Sequence, residues 1–153
     1  MEDVPWEISY ADFADGRVPY ESFLRGLNAY HRTVVVLAAV DGILARQGTT
    51  VCSNEWGSAL GAGLYEFRIR RSLSTICNEA GIPVPSGFAA DDEVLIRVFF
   101  TTHGRRILLL VGGYDKGADP SLKRQQRAIA AARKVLSEYK RGEATQARRS
   151  KGR

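Results

Sequence analysis

The feature that most constrains this fold is the strict alternation of apolar and charged side chains in residues 64–71. The apolar members share one side of an extended chain and the charged members the other: Tyr65, Phe67 and Ile69 against Glu66, Arg68 and Arg70. A repeat of two residues is the repeat of a β-strand. The segment therefore predicts a strand whose apolar face is buried and whose second face carries arginines.

Two further strands follow. Residues 94–102 alternate as well, and Arg97 falls on the same face as Leu95 and Phe99. Residues 107–111 are apolar on both faces, which predicts a position inside a sheet. His103-Gly104 separates the two segments, and a glycine in the turn supplies the positive φ of a tight hairpin. We expect these three strands to form an antiparallel meander.

The remaining segments complete an α+β prediction. Residues 5–10 alternate as a short strand, Pro19 opens a first helix, and residues 30–46 predict a second helix that ends before Gly48. Residues 48–63 and 72–92 are rich in loop-forming residues and predict irregular connections. Asp119-Pro120 predicts the start of a C-terminal helix over residues 121–139, with the aspartate as its cap.

Charge is distributed unevenly along the chain. Residues 1–63 have a net charge of −4, residues 64–139 of +4 and residues 140–153 of +5. This pattern favours a polyanionic partner. We divide the chain into one domain, residues 1–140, and a basic disordered tail, residues 141–153; the tail is either a contact for that partner or a solvated extension.

Several classes of protein are excluded by the sequence. The longest apolar run, residues 34–40, is too short to span a bilayer, and the first residues lack the pattern of a signal peptide. Cys52 and Cys77 lack the number and spacing of a disulfide framework or a metal site. We therefore expect a cytoplasmic protein that contacts no membrane and uses no metal and no cofactor.

A candidate site combines the strand arginines with the segment after the third strand. Arg68 and Arg70 share a face, and an antiparallel neighbour brings Arg97 beside them. Glycines at 112, 113 and 117 let the chain turn so that Tyr114 and Lys116 lie over the sheet. Guanidinium groups match pairs of phosphate oxygens. The alternative interpretation is a solvated strand face whose arginines pair with Glu66 and with the acidic residues 91–93.

The C-terminal helix carries a second basic group. Lys123, Arg127 and Lys134 are spaced by four and seven residues and share one side of the helix. They are our candidates for additional contacts to the polyanionic partner, although such a stripe also fits the solvated face of an amphipathic helix. His103 is interpreted as a turn residue.

Several segments, taken in order, resemble one family. They are LYEFRIR at 64–70, LIRVFF at 95–100, GRRILLL at 104–110, GGYDKG at 112–117 and the helix that follows Asp119-Pro120. The ordered set resembles RelE/HigB-like toxins of type II toxin–antitoxin systems, in the phage-derived branch. This chain departs from the family by the insert at residues 72–92, which either folds over the arginine face as a lid or extends outward to a partner.

The resemblance implies a ribosome-dependent endoribonuclease that cleaves mRNA when the RNA 2′-hydroxyl attacks the adjacent phosphate. Arg68, Arg70 and Arg97 would stabilise the charge on the phosphate, with Tyr114 and Lys116 in acid–base or electrostatic roles. The implied partners are mRNA, the ribosome and a cognate antitoxin with a helix-turn-helix. Two alternatives stay open: a non-catalytic RNA- or ribosome-binding protein, and a gyrase-directed toxin on a similar scaffold.

Overall fold

A computed structural model describes residues 4–28, 31 and 35–151, with side chains up to residue 142. The elements, in chain order, are β1 (Glu7–Tyr10), α1 (Pro19–Gly26), α2 (Leu37–Ala39), a π-helical segment (Val40–Leu44), α3 (Ala45–Gln47), a 3-10 segment (Gly48–Ser53), β2 (Gly57–Gly61), β3 (Leu64–Ser72), α4 (Leu73–Ala80), β4 (Glu93–His103), β5 (Ile107–Asp115) and α5 (Leu122–Lys151). No helix within the described ranges is both long enough and apolar enough to cross a membrane.

A mixed five-stranded sheet is the centre of the fold. Its strand order is β1-β5-β4-β3-β2; β1 runs parallel to β5, and the other neighbours are antiparallel. The α+β class and the meander β3–β4–β5 are therefore confirmed. The β4–β5 hairpin closes at the pair His103 and Ile107, and both Gly104 and Arg106 take a φ of 57° in its turn.

The prediction of a loop over residues 48–63 was wrong. This stretch forms the 3-10 segment and β2, which pairs antiparallel with β3. The sequence of β2, Gly-Ser-Ala-Leu-Gly, lacks the β-branched and aromatic residues that mark a strand. Pairing with β3 determines its conformation, and the Arg68 amide also donates to the Trp56 carbonyl at 2.7 Å.

The second predicted helix is present as a continuous helical stretch from residue 35 to residue 47; residues 30 and 32–34 of the predicted range lie outside the described residues. The π-helical segment in its middle contains Gly42. A Cβ added at Gly42 would lie 2.5 Å from the Ala80 carbonyl oxygen. The glycine thus permits α4 to approach this helix closely.

The sequence predicted an irregular connection over residues 72–92. The structure instead has the helix α4 within this insert. The Ser72 hydroxyl accepts a hydrogen bond from the Thr75 amide at the start of α4, and Gly81 ends the helix in the left-handed conformation. The apolar spacing of Leu73, Ile76 and Cys77 buries one side of α4. The prediction missed this helix because its two turns are shorter than the window over which helical periodicity is evident.

Two hydrophobic cores lie on opposite faces of the sheet. The first core joins Phe67, Ile69 and Ile96 to α4 and to the helices before the sheet. The second core joins Phe99 and Leu109 to α5, through residues that include Ala128, Ala132, Val135 and Leu136. Arg97 alternates with members of the first core and so belongs to the face that α5 covers. Since α4 packs in the first core, it is not a lid over the arginine face.

The last helix differs from its prediction at both ends. The Ser121 hydroxyl, and not Asp119, caps α5 by accepting from the Arg124 amide at 3.2 Å, while Asp119 accepts from the Ser121 amide at 3.1 Å. The helix continues to Lys151, through most of the predicted disordered tail. Alanine, glutamate, glutamine and arginine dominate residues 143–149, and these are strong helix formers.

Candidate functional site

Three predicted site residues form a row across the sheet. Arg68 on β3 pairs in register with Arg97 on β4, and Arg97 pairs in register with Tyr114 on β5. Side chains in register on adjacent strands share a face. The sheet therefore brings together three residues that are up to 46 positions apart in the sequence.

Glu66 holds the arginines of this row. Its Oε1 lies 3.2 Å from Arg97 Nε and its Oε2 lies 3.3 Å from Arg68 Nε. Arg97 is 5% exposed and Glu66 3% exposed, so their contact is an ion pair removed from solvent. Burial lowers the pKa of Arg97, and the neighbouring Glu66 charge opposes that change. The pairing with Glu66 is one of the alternatives that the sequence left open.

Tyr114 lies deeper in the fold than the sequence predicted. It belongs to β5 and not to an exit loop, because the strand continues through Gly112 and Gly113 to Asp115. Its ring stacks on Phe99 with centroids 6.0 Å apart, and the Arg124 guanidinium lies 5.1 Å from the ring centroid. Tyr114 is 2% exposed, and this burial raises the pKa of its hydroxyl.

Two buried polar atoms of this row have no hydrogen-bond partner among the described residues: Arg97 Nη1 and Tyr114 Oη. Glu66 Oε1 also lacks hydrogen-bond geometry, although Arg97 Nε is near enough for an ion pair. Unpaired buried polar groups cost free energy, and they are uncommon outside sites that bind water, ions or ligands.

Arg70 and Lys116 lie in the next row toward the end of the sheet. Arg70 is exposed and pairs in register with Leu95. The Leu95 carbonyl accepts from the Gly117 amide at 3.0 Å, so Lys116 lies at this end of β5, beside Leu95. Arg70 is close enough for its charge to lower the pKa of Arg97, after the larger effect of burial. Of the three arginines on β3 and β4, Arg68 and Arg70 are thus the ones accessible to solvent.

The three basic residues predicted on the C-terminal helix lie on α5 and are all exposed: Lys123, Arg127 and Lys134. The buried side of α5 is formed by other residues, such as Ala128 and Ala132. The sequence prediction missed Arg124, the α5 residue that contacts the site through Tyr114. The sequence offers little indication of this contact, because a basic residue in the first turn of a helix can point toward the sheet or toward solvent.

Asp115, next to Tyr114 on β5, already has partners of its own. Asp115 accepts hydrogen bonds from the amides of Gly117 and Ala118, and its other oxygen lies 3.6 Å from His31 Nδ1. His103, at the far end of β4, hydrogen-bonds Tyr139 of α5 and is not part of the site. Within the described ranges, no three His, Cys, Asp or Glu side chains gather as metal ligands.

Comparison with protein-family models, with curated proteins and with solved structures finds no match to this chain.

Proposed function

We propose that this chain is the toxin component of a type II toxin–antitoxin system, a cytoplasmic RelE/HigB-like endoribonuclease that cleaves mRNA on the ribosome. The observation that carries the proposal is the in-register row Arg68–Arg97–Tyr114, with Arg70 in the next row. Glu66 is the one carboxylate paired with these arginines among the described contacts. The cluster keeps an excess of positive charge, which favours a phosphodiester ligand.

The geometry supports different roles for the accessible arginines, Arg68 and Arg70, and for the buried Arg97. Arg68 and Arg70 are accessible to a phosphate, and a guanidinium offers it two parallel donors. Arg97 is fixed by Glu66 and contributes positive charge from beneath, without reorganisation during the reaction. This arrangement stabilises the negative charge that builds on the phosphate oxygens as the 2′-oxygen attacks and the 5′-oxygen leaves.

Two proton transfers accompany that reaction. One proton leaves the 2′-hydroxyl and another reaches the leaving 5′-oxygen, and a positioned group accelerates each transfer by roughly 10²- to 10⁴-fold. Lys116, at the open end of β5, is our candidate for one of these transfers or for electrostatic support. Tyr114 is 2% exposed, so its role requires that RNA reach a nearly closed position.

That burial favours a second candidate function, a non-catalytic RNA- or ribosome-binding protein on the same scaffold. Arg68 and Arg70 suffice to hold a phosphate without chemistry. Binding of this kind weakens steeply as salt rises, because it depends on counterion release from RNA. The two functions share a binding surface and differ in whether RNA is cut.

The test compares paired variants of the full chain on translating ribosomes. Arg68→Ala/Arg70→Ala removes the accessible arginines, and Arg25→Ala/Arg46→Ala removes two exposed arginines from α1 and α3 as the matched control. We expect the native chain and the control to cut mRNA and the first variant to lose at least 100-fold in rate. Intact mRNA with the native chain, together with salt-sensitive binding, supports the non-catalytic function.

The antitoxin is tested separately. We expect a small reading frame next to this gene to encode a helix-turn-helix protein, which is then co-expressed with the chain. We expect it to restore the growth that the chain alone inhibits. Normal growth of cells that express the native chain alone contradicts the toxin proposal.

A further inference from the structure

Arg124, in the first turn of α5, contacts the candidate site directly. Its guanidinium carbon lies 5.1 Å from the centroid of the Tyr114 ring. The Arg124 amide donates to the Ser121 hydroxyl at 3.2 Å, so the cap of α5 fixes the position from which this side chain extends. The start of α5 therefore holds an arginine over the Tyr114 end of the row Arg68–Arg97–Tyr114.

The guanidinium of Arg124 has hydrogen-bond donors that the fold does not use. Among the described residues, no carboxylate forms an ion pair with it, and its hydrogen bond to Ser121 comes from the backbone amide. Arg133 on the same helix differs, because its two terminal nitrogens donate to the carbonyls of Leu60 and Gly61. Arg133 thus holds α5 against the sheet, whereas the donors of Arg124 remain available to a ligand.

Two carboxylates line a cavity together with Arg124, but they do not neutralise the site. Asp115 pairs in register with Ile96 of the first core and so belongs to the other face of the sheet. Asp119 already accepts a hydrogen bond from a backbone amide of its own loop. With Arg124, the site has four arginines against the carboxylates of Glu66 and Asp119, and this excess of positive charge favours an anionic ligand.

Access to the Tyr114 hydroxyl depends on the side chains that contact its ring. The hydroxyl and Arg97 Nη1 are both buried without a hydrogen-bond partner among the described residues. Phe99, which stacks on the ring, is 1% exposed and belongs to the second core, so its displacement would open that core. Arg124 is only half-buried. Of these two neighbours, Arg124 is therefore the one that can move aside without disturbing the core.

We infer that Arg124 is a further phosphate-binding residue of this site, which leaves the Tyr114 ring when RNA binds and thereby opens the Tyr114 hydroxyl to the substrate. A partly exposed guanidinium is held weakly by an aromatic ring, whereas its charge-assisted hydrogen bonds to a phosphate are stronger and directional. A phosphodiester therefore competes successfully for Arg124. The inference rests on the proposed function, because it requires RNA on the arginine face; it requires no cleavage, so it applies to the non-catalytic alternative as well.

The experiment measures binding of a fluorescent hexathymidylate, which has phosphodiesters but no 2′-hydroxyl to react, to the full chain by anisotropy. Arg124→Met removes the guanidinium and keeps a flexible apolar side chain against the Tyr114 ring. Arg17→Met is the matched control, because Arg17 also lies over an aromatic ring, Phe13 at 4.7 Å, but belongs to the segment before α1. We expect Arg124→Met to bind about 10-fold more weakly than the native chain, and Arg17→Met to bind as the native chain does.

A second measurement follows the movement of the side chain. Nuclear Overhauser contacts between Arg124 and the Tyr114 ring should be present in the free native chain and lost at saturation with hexathymidylate. Circular dichroism checks that the variants fold. If Arg124→Met does not fold, Arg124→Lys replaces it, and weaker binding is again expected because a lysine lacks the paired donors of a guanidinium.

The outcomes separate this inference from the proposed function. Hexathymidylate that binds the native chain and Arg124→Met equally, or an Arg124–Tyr114 contact that persists at saturation, overturns the inference alone and leaves the arginine site of β3 and β4 standing. A native chain that does not bind hexathymidylate at all overturns the inference together with the proposed RNA site.

Discussion

Arg97 Nε lies 3.2 Å from Glu66 Oε1, and the two residues are only 5% and 3% exposed to solvent. This buried pair connects β3 to β4 directly beneath the accessible arginines. Its free energy has two opposed parts, because the attraction between the charges must offset the cost of removing both from water. The pair therefore positions the site more than it stabilises the fold.

Removing one partner of this pair should be far more destabilising than removing an accessible arginine. We expect Arg97→Met to lower the free energy of unfolding by about 3–5 kcal/mol, since Glu66 stays buried and keeps only the partly exposed Arg68 as an ionic partner. Arg68→Met, at a side chain that is 32% exposed, should cost at most about 1 kcal/mol. Urea unfolding followed by circular dichroism measures both values.

The double variant Glu66→Leu/Arg97→Met is the control for that prediction. It removes both charges, so most of the stability lost in Arg97→Met should return. A double variant that is less stable than either single variant would show that the pair itself supplies net stability.

Alkaline pH should destabilise the protein through Tyr20. Burial raises the pKa of Tyr20 far above its ordinary value, and the charges of Tyr10 and Asp41 act in the same direction. Its contribution to stability is complete below the unfolded-state pKa of about 10 and declines above it by about 1.4 kcal/mol per pH unit. We expect Tyr20→Phe to reduce this decline in urea unfolding measured from pH 9 to pH 11.

The same substitution should not harm the protein at neutral pH. The Tyr20 hydroxyl is buried and has no hydrogen-bond partner among the described residues. Its removal relieves an uncompensated desolvation cost of about 1–3 kcal/mol. A Tyr20→Phe variant that is clearly less stable at pH 7 would contradict this interpretation.

Gly42→Ala should destabilise the fold even though alanine favours helices. Helix propensity alone would stabilise the variant by about 1 kcal/mol. The new methyl group, however, would lie 2.5 Å from the Ala80 carbonyl oxygen, which is backbone and yields little. We expect a net loss of about 1–3 kcal/mol in thermal or urea unfolding. Gly26→Ala, where the methyl group meets nothing within 4 Å, should be neutral or stabilising.

The exposed basic residues of α5 should contribute to the salt dependence of RNA affinity. Replacing Lys123, Arg127 and Lys134 together by alanine should weaken binding to all RNA sequences alike. If each residue contacts one phosphate of single-stranded RNA, the slope of log affinity against log salt falls by about 2. An unchanged slope would identify the stripe as a solvated helix face. The free energy of unfolding should change little, since the three residues are exposed.

Residue pattern predicted the elements whose burial is encoded locally. The alternation in β3 and the spacing along α1 and α5 reflect burial of one face, and the apolar run at the start of β5 reflects burial of both faces. The short elements β2 and α4 were missed for the opposite reason. The conformation of β2 depends on its pairing with β3 and not on its own residue types, and α4 packs against the helix around Gly42, which is distant from it in sequence.

The sequence by itself determined the α+β class, the three-strand meander and the shared face of Arg68 and Arg70, because a repeat of two residues assigns faces without knowledge of neighbours. Only the tertiary structure decided the register that places Arg97 between Arg68 and Tyr114 and the burial of Glu66 against two arginines. Each of these depends on where separate strands and helices stop relative to one another, which local pattern does not encode.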